Sequence, residues 1–443
     1  MTSKAFLRVA TLIGVGTLSV LVGIAEVQSS QRPVSDGCDW GPWNPVRVLS
    51  PSLRQPSVAI SQGGTVAVAG TERPKEERES GPVAGSGPAP SVWVHGRNVG
   101  LPEVEGVPMV PRIAFDSNGV LHAAWLTAPE TYSVADLEAA VRGRGVPGGL
   151  QHAMWQEGEW TEPEEVFAGV LDWGAEGTGT GLYPLSGGSV ALVFREPTDR
   201  VLNTRLHVAR FRAGAWVSYS RDYLGGVGVS VQESTTGELQ LLHLYPFELL
   251  EYARTGTARA TRQVTQDLLH TELDPETGDW TWPEGALVEG DNRYFNQPET
   301  MRTSAGARVI TLLGRSSPED LRDTLFAGLG PDLPRAARGL RPVIGFDEAV
   351  VVGARVVSRT EEVLDVYASV VETGEDGAAV ARVHRVSHRE GGWTSAVTEV
   401  LGIDPLRSVL AVGVGPGQNV LAVATVEGRA DEYLLIRRSL ECP

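Results

Sequence analysis

The chain of 443 residues has two cysteines, almost no lysine and very little helical periodicity. Lys4 and Lys75 are its lysines, so arginine carries nearly all of the positive charge. A GxSxG motif, a phosphate-binding glycine loop and a helical pair of zinc-binding histidines are all missing. These absences exclude several common enzyme classes on sequence grounds, and the sequence predicts no cofactor and no metal.

Positive charge is also scarce, since the formal net charge is −17. An acidic surface of this size repels nucleic acid and anionic lipid. The sequence therefore predicts neither of them as a partner, and a monomer is expected.

One long apolar run is present, from Val9 to Ile24, and it follows the basic residues Lys4 and Arg8. This pattern is typical of an export signal that ends near the small residues Ala25 and Ser29. We predict a signal peptide over 1–29, with an uncleaved anchor as the alternative. The remaining 38–443 then form a single domain without a membrane segment, either secreted or located in the periplasm or cell envelope.

The body of the chain alternates apolar and polar residues in short runs that end at glycine, proline, asparagine or aspartate. This pattern predicts antiparallel strands. Pairs of strongly apolar strands around a glycine-containing turn recur along the chain. These hairpins begin at Pro56, Pro111, Gly181, Gly228, Pro298, Val351 and Arg407.

A second recurring feature is a tight turn that ends in tryptophan. The turn tryptophans are Trp40, Trp160, Trp216, Trp280 and Trp393, and the stretches near Gly96 and Arg338 lack one. A unit of roughly 58 residues is typical of four-stranded propeller blades. We predict an all-β β-propeller with seven four-stranded blades, and six blades as the alternative. Each turn tryptophan is expected to pack against the neighbouring blade.

The two ends of the chain complement each other. Glu432–Ser439 resembles the third strand of a blade without a fourth, and Asp39–Leu49 resembles a fourth strand without a blade. Joining them would close the last blade with strands from both termini. Cys38 and Cys442 would then lie at the position of the tight turn, and in an exported chain two cysteines are expected to form a disulfide.

Long insertions follow the second strand of several units, over 71–90, 127–149 and 246–259, and Val134–Gly143 is the plausible short helix. Long loops on a rigid scaffold commonly carry binding sites, so we predict that the insertion-bearing face is functional. Three arginines lie just ahead of innermost strands, namely Arg54, Arg112 and Arg407. They either bind the carboxylate of a ligand jointly, or each pairs with a nearby aspartate or glutamate. The other predicted ligand-binding residues are Trp173, Asn292, Arg293 and Asn296.

The hairpin from Pro111 to Trp125, followed by the segment from Gly158 to Val166, resembles the BNR/sialidase-like propeller superfamily. Arg112 and Ile113 match two residues of its Arg-Ile-Pro signature, although Ala114 replaces the proline and the strict SxDxGxTW box is absent. The resemblance implies a propeller fold. In a sialidase, Tyr294 with Glu299 would supply the nucleophile pair and Asp172 the general acid.

The functional prediction is an exported, soluble propeller that binds a glycan, a peptide or a partner protein through the insertion-bearing face. A sialidase-like glycoside hydrolase is the alternative, and a scaffolding role in the cell envelope is a third hypothesis. The sequence does not identify the ligand.

Overall fold

A computed structural model provides the structure of the protein. It describes residues 39–42, 44–49, 53–61, 63–72, 89–94, 97–129, 146–171, 181–197, 203–224, 228–246, 266–281, 286–289, 294–303, 306–315, 323–346, 350–358, 363–373, 379–389, 391–399, 406–415, 419–426, 429–438 and 440–441. The signal peptide and the helix predicted at Val134–Gly143 lie outside the described residues. Within the described part of the chain, no helix is long and apolar enough to span a membrane.

Most described residues belong to antiparallel sheets of four or five strands, which we number I to VII. Sheet I contains β3 (Leu53–Ile60), β4 (Val66–Glu72), β5 (Ala89–Val94) and β6 (Arg97–Asn98). Sheet II contains β7 (Val107–Phe115), β8 (Leu121–Ala128), β9 (Val146–Gln156), β10 (Glu159–Trp160) and β11 (Glu164–Leu171). Sheet III contains β12 (Gly181–Pro184), β13 (Val190–Pro197), β14 (Asn203–Arg212) and β15 (Ala215–Leu224).

The second half of the chain continues the pattern. Sheet IV contains β16 (Val229–Glu233), β17 (Leu239–Pro246), β18 (Gln266–Leu273) and β19 (Trp280–Thr281). Sheet V contains β20 (Tyr294–Arg302), β21 (Arg308–Arg315), β22 (Thr324–Gly330) and β23 (Arg341–Gly345), with helix α1 (Leu333–Arg338) between the last two. Sheet VI contains β24 (Val350–Ser358), β25 (Leu364–Thr373), β26 (Ala379–Arg389), β27 (Gly392–Trp393) and β28 (Val397–Glu399).

Sheet VII combines strands from both ends of the chain. It contains β29 (Leu406–Gly415), β30 (Asn419–Val426), β31 (Arg429–Arg438) and β2 (Asn44–Leu49), and β2 pairs with β31. A separate two-stranded sheet pairs β1 (Asp39–Trp40) with β32 (Leu440–Glu441). Cys38 and Cys442 lie outside the described residues.

The first strands of neighbouring sheets lie side by side. Contacts join β3 to β7, β7 to β12, β16 to β20, β20 to β24, β24 to β29, and β29 to β3. Between sheets III and IV, the Tyr183 hydroxyl donates to the Val229 carbonyl at 3.1 Å. Four-stranded sheets that pack through their first strands define a propeller. The prediction of an all-β β-propeller is confirmed.

Burial within a sheet falls from the first strands to the last. Every residue of β8 and of β16 is buried, whereas β11 alternates between half-buried and exposed residues. A strand covered on both faces has a continuous apolar sequence, and a strand with one exposed face alternates. The hydrophobic core therefore consists mainly of the inner strands of adjacent sheets.

The turn between the first and second strands is closed by the same backbone hydrogen bond, from the N–H of one residue to the carbonyl four residues later, in sheets I to V. In sheet II the Asp116 backbone N–H donates to the Val120 carbonyl at 2.9 Å, and Asp116 Oδ1 accepts from the Val120 N–H at 2.8 Å. Gly119 in this turn has a φ of 83°, which favours glycine. Equivalent turns begin at Ser61, Leu185, Ser234 and Thr303.

The turn tryptophans of sheets II, III, IV and VI pack against the preceding sheet. The Trp160 indole N–H of sheet II lies 3.0 Å from the Gly100 carbonyl, next to sheet I. Trp216 of sheet III contacts His152 of sheet II, with ring centroids 4.9 Å apart. Trp280 packs on the core shared by sheets III and IV, and Trp393 on that shared by sheets V and VI. The predicted packing role of these four residues is confirmed.

Sheet V departs from this pattern, because α1 stands where sheets II, III, IV and VI have a tight turn. The prediction of a turn without tryptophan near Arg338 is wrong, since a short helix lies there. Asp332 caps the helix by accepting from the Arg335 N–H at 2.8 Å, and Gly339 ends it. The helix packs tightly on β22, since a Cβ on Gly330 would lie 2.4 Å from the Ala336 nitrogen.

Candidate functional site

The predicted site residues fall into two groups. Asp172, Trp173, Asn292 and Arg293 lie outside the described residues, as do the central parts of the three long insertions. Arg54, Tyr294, Asn296, Glu299 and Arg407 lie on described first strands, where the backbone gives their positions. Strands β29, β3 and β7 are consecutive neighbours, so the backbone brings Arg407, Arg54 and Arg112 to three adjacent first strands.

β-bulges occur near the start of five first strands. In sheets I, II and V the register shifts across Arg54/Ser57, Met109/Arg112 and Asn296/Glu299. The shifts in β24 and β29 begin at Val351/Gly353 and Leu406/Ser408. Each of the first three bulges contains a proline, which has no N–H to donate to the ladder. The bulges lie at the end of the strands that faces the long loops.

Arg112 is the one predicted arginine whose side chain the structure describes, and it is enclosed. Its exposed fraction is 2 %. Burial lowers the pKa of Arg112 to about 10, because the charged form loses hydration. Arg112 therefore lies within the inner layer of the propeller and is not open to solvent.

A second region is a cavity of about 540 Å³ between sheets IV and V, and none of the site residues predicted from the sequence lines it. It lies at the end of the strands that carries the tight turns, opposite to the bulges. Sheet IV contributes Thr235, Gln240, His270, Glu272, Thr281 and Leu287. Sheet V and α1 contribute Arg302, Gly306, Arg308, Pro331, Asp332, Leu333 and Pro334.

A chain of hydrogen bonds fixes the polar wall of this cavity. Arg308 donates to the side-chain oxygens of Gln232 at 2.5 Å and of Gln240 at 2.6 Å. Gln240 in turn donates to Glu272 Oε1 at 2.8 Å. The carboxylate of Glu272 is held on the cavity wall by this network while 39 % of its side chain stays exposed.

His270 lies beside Glu272, with Nε2 3.6 Å from Glu272 Oε1. Burial lowers the pKa of His270, and the charge of Arg308 lowers it further, against the opposing effect of Glu272. The imidazole is therefore neutral at pH 7. Its Nε2 has no hydrogen-bond partner among the residues that the structure describes.

The register shows why His270 lies in a cavity. His152 of sheet II precedes Trp155, the partner of the turn residue Trp160, by three positions, and His270 precedes Leu273, the partner of Trp280, by the same number. The two histidines thus occupy equivalent places. Trp216 of the next sheet covers His152, whereas the sheet that follows His270 has no turn tryptophan.

The sequence contained a signal for this site. The stretch near Arg338 lacks a turn tryptophan, and this gap in the repeat marks a pair of sheets without that aromatic side chain between them. Among the described residues, no group of three or more histidine, cysteine, aspartate or glutamate side chains is arranged to hold a metal ion.

No protein-family model matches the chain, and no curated protein sequence matches it. Among solved structures it is similar to an α-L-arabinanase from Penicillium chrysogenum complexed with arabinobiose, with 12 % identity, a TM-score of 0.43, and coverage of 76 % of this chain and 93 % of that one. It is also similar to the propeller domain of the trilobed protease from Pyrococcus furiosus, with 9 % identity and a TM-score of 0.48. That match covers 90 % of this chain and 96 % of the other. The polysaccharide lyase Uly1 has 9 % identity and a TM-score of 0.49, and the match covers 96 % of this chain and 98 % of the other.

Similarities at this level concern the fold and do not extend to activity. The chain belongs to the broad class of β-propeller proteins, as its own sheets establish. Membership of the BNR/sialidase-like superfamily stays a prediction.

Proposed function

We propose that the protein is an exported β-propeller that binds a ligand through the face with the long loops. The observation that carries this proposal is the set of five bulges at that end of the first strands. Bulges redirect side chains and are common next to functional sites. Arg54 and Arg407 lie at these bulges on adjacent strands, where two guanidinium groups can share a carboxylate.

The ring that supports this face has seven blades in our proposal, and strands from both termini close the last one. Contacts between β29 and β3 and the pairing of β2 with β31 support it. Asp39 pairs with Glu441, and this antiparallel register, if it continued by one residue, would set position 38 opposite 442. We propose a Cys38–Cys442 disulfide there. Thiol titration of the exported protein tests it, and two reactive thiols would contradict it.

The binding proposal is tested on a glycan array and a peptide array with the purified exported protein. We expect retention of a defined ligand class, and loss of that retention in the variant that combines Arg54→Gln and Arg407→Gln. Arg212→Gln is the matched control, because Arg212 is an exposed arginine on the opposite, turn-bearing end. Equal loss in the control, or no retention at all, would reject the proposal.

The sialidase-like alternative makes a different prediction in the same preparation. A glycosidase releases fluorophore from 4-methylumbelliferyl glycosides, and Tyr294→Phe abolishes the release. A binding module retains its ligand without turnover. Turnover that depends on Tyr294 would replace the binding proposal with the enzymatic one.

A further inference from the structure

We propose that the cavity between sheets IV and V is a second binding site, which accepts a small organic acid that carries hydroxyl groups. The cavity lies at the turn-bearing end of the strands, away from the bulged end. Its existence and its test are therefore independent of the function proposed above.

The cavity is a built feature of the propeller. Sheets II, III, IV and VI each supply a turn tryptophan against the preceding sheet. Sheet V supplies α1 instead, folded over Gly330. The residues equivalent to Gly330 in sheets II, III and IV are Trp155, Phe211 and Leu273, each paired with a turn tryptophan. Removal of both large side chains leaves the space between sheets IV and V.

The cavity wall offers one guanidinium group to an anion. Asp332 is already engaged, since it caps α1 and lies 3.7 Å from Arg335. Arg308 is engaged as well, because it donates to Gln232 and Gln240. The side chain of Arg302 forms no hydrogen bond or ion pair with the part of the chain that the structure describes, and its Nη2 lies 3.7 Å from where a Cβ on Gly306 would be. Arg302 is therefore the cationic side chain of this wall that is open to the carboxylate of a ligand.

The opposite wall favours hydroxyl groups. Glu272 Oε1 accepts from Gln240, and the second carboxylate oxygen keeps its capacity to accept. His270 and Thr281 line the same wall, and the Thr281 hydroxyl steadies it by accepting from the Glu272 N–H and donating to the Glu272 carbonyl. Acceptors that are fixed in place bind hydroxyl donors with little loss of entropy. The carboxylate of a ligand would lie at Arg302 and its hydroxyls at Glu272.

The size of the cavity sets the upper limit of the ligand. Small-molecule sites commonly enclose about 300–1,000 Å³, and about 540 Å³ falls in this range. Leu287, Pro331, Leu333 and Pro334 add an apolar surface to the polar wall. A ligand with one carboxylate, several hydroxyls and a carbon skeleton matches both walls. Cyclic uronates and open-chain hydroxy acids share this chemistry.

Isothermal titration calorimetry of the full exported protein tests the proposal with three probes. D-glucuronate is the cyclic acid, D-gluconate the open-chain acid, and D-glucose the neutral sugar without the carboxylate. We expect one or both acids to bind at least about tenfold more tightly than glucose, which corresponds to 1.4 kcal/mol. The acid that binds shows whether the ligand is a cyclic uronate or an open-chain hydroxy acid. Equal binding of acids and glucose, or no binding of any probe, would overturn the proposal.

Two variants locate the binding. Arg302→Gln should weaken the binding of the acid about tenfold or more, so that its preference over glucose is lost. Thr281→Trp should fill the cavity and abolish binding. Arg212→Gln is the matched control and should bind as the parent protein does. Circular dichroism and the unfolding midpoint establish that each variant is folded. A folded Arg302→Gln variant with unchanged preference, or a folded Thr281→Trp variant with unchanged affinity, would contradict the site.

Discussion

Two boundaries between neighbouring sheets share the same strand arrangement but differ in packing. The boundary between sheets II and III is filled by side chains, and the boundary between sheets IV and V contains a cavity. In the first, His152 is 1 % exposed beneath Trp216, stacks on His122 with centroids 5.2 Å apart, and lies 3.0 Å from Glu164. In the second, the equivalent His270 borders a cavity. The turn tryptophan and the large side chain paired with it distinguish the sealed boundary from the open one.

The difference shows how a repeat can acquire a site. The turn tryptophan buries a large apolar area at each boundary where it occurs. When one unit loses it, the neighbouring sheets keep their positions, because their first strands still contact one another. The polar residues beneath the missing ring then become accessible, as Glu272 is.

The largest expected effect comes from opening the sealed boundary. Trp216→Ala removes the ring that covers His152, and we expect the free energy of unfolding to fall by about 3–4 kcal/mol. Urea unfolding at pH 7 measures the change. The comparison fails if the loss stays within about 0.5 kcal/mol, the effect of an ordinary surface substitution.

The open boundary is disturbed most by moving α1. A Cβ on Gly330 would lie 2.4 Å from the Ala336 nitrogen, so Gly330→Ala should force the helix outward and cost about 2–3 kcal/mol. Gly345→Ala is the matched control in the same sheet, because a Cβ there meets nothing within 4 Å. Similar unfolding midpoints for the two variants would show that α1 does not depend on Gly330.

The pH dependence of stability distinguishes the sealed histidine. Burial lowers the pKa of His152 to about 3, and the neighbouring His122 lowers it further. In the unfolded chain this histidine binds a proton near its ordinary pKa of about 6.5. Its contribution to the free energy of unfolding is therefore fully present above that pH and is lost as the pH falls toward about 3.

Between pH 7 and pH 5 the loss attributable to His152 should be about 2 kcal/mol. Urea unfolding of the parent and of His152→Gln at pH 7 and pH 5 measures it. We expect the pH dependence to be smaller in the variant. An identical dependence would mean that His152 does not bind its proton differently in the folded and unfolded states.

The smallest expected effect concerns the cap of α1. Asp332→Ala removes the acceptor of the Arg335 N–H and should cost about 1 kcal/mol. Arg335→Gln breaks only an exposed ion pair and should change stability by less than about 0.5 kcal/mol. Thermal unfolding compares the two variants, and equal shifts would assign the effect to charge and not to capping.

The sequence allowed prediction of the parts that depend on local chemistry. The turn from Asp116 to Gly119 needs a side-chain acceptor and a glycine with positive φ, and both appear in the sequence. The tryptophans at 160, 216, 280 and 393 marked the outer turns by their spacing. The helix α1 was also predictable in principle, because Asp332, Pro334 and Gly339 are typical boundary residues.

The cavity could not be predicted in the same way. Glu272 becomes a candidate only when the register sets Gln240 opposite it and Arg308 beyond that, on another sheet. Such contacts join residues far apart in the chain. A missing tryptophan indicates where space exists, but the side chains around that space follow from the packing of two sheets.

A crystal structure of the purified protein soaked with D-glucuronate and D-gluconate tests the central claim most directly. The account predicts that Trp216 covers His152, that no protein side chain occupies the space between Arg302 and Glu272, and that the carboxylate of one acid lies against Arg302. A side chain that fills this space, or an acid bound elsewhere while the space holds solvent alone, would contradict it.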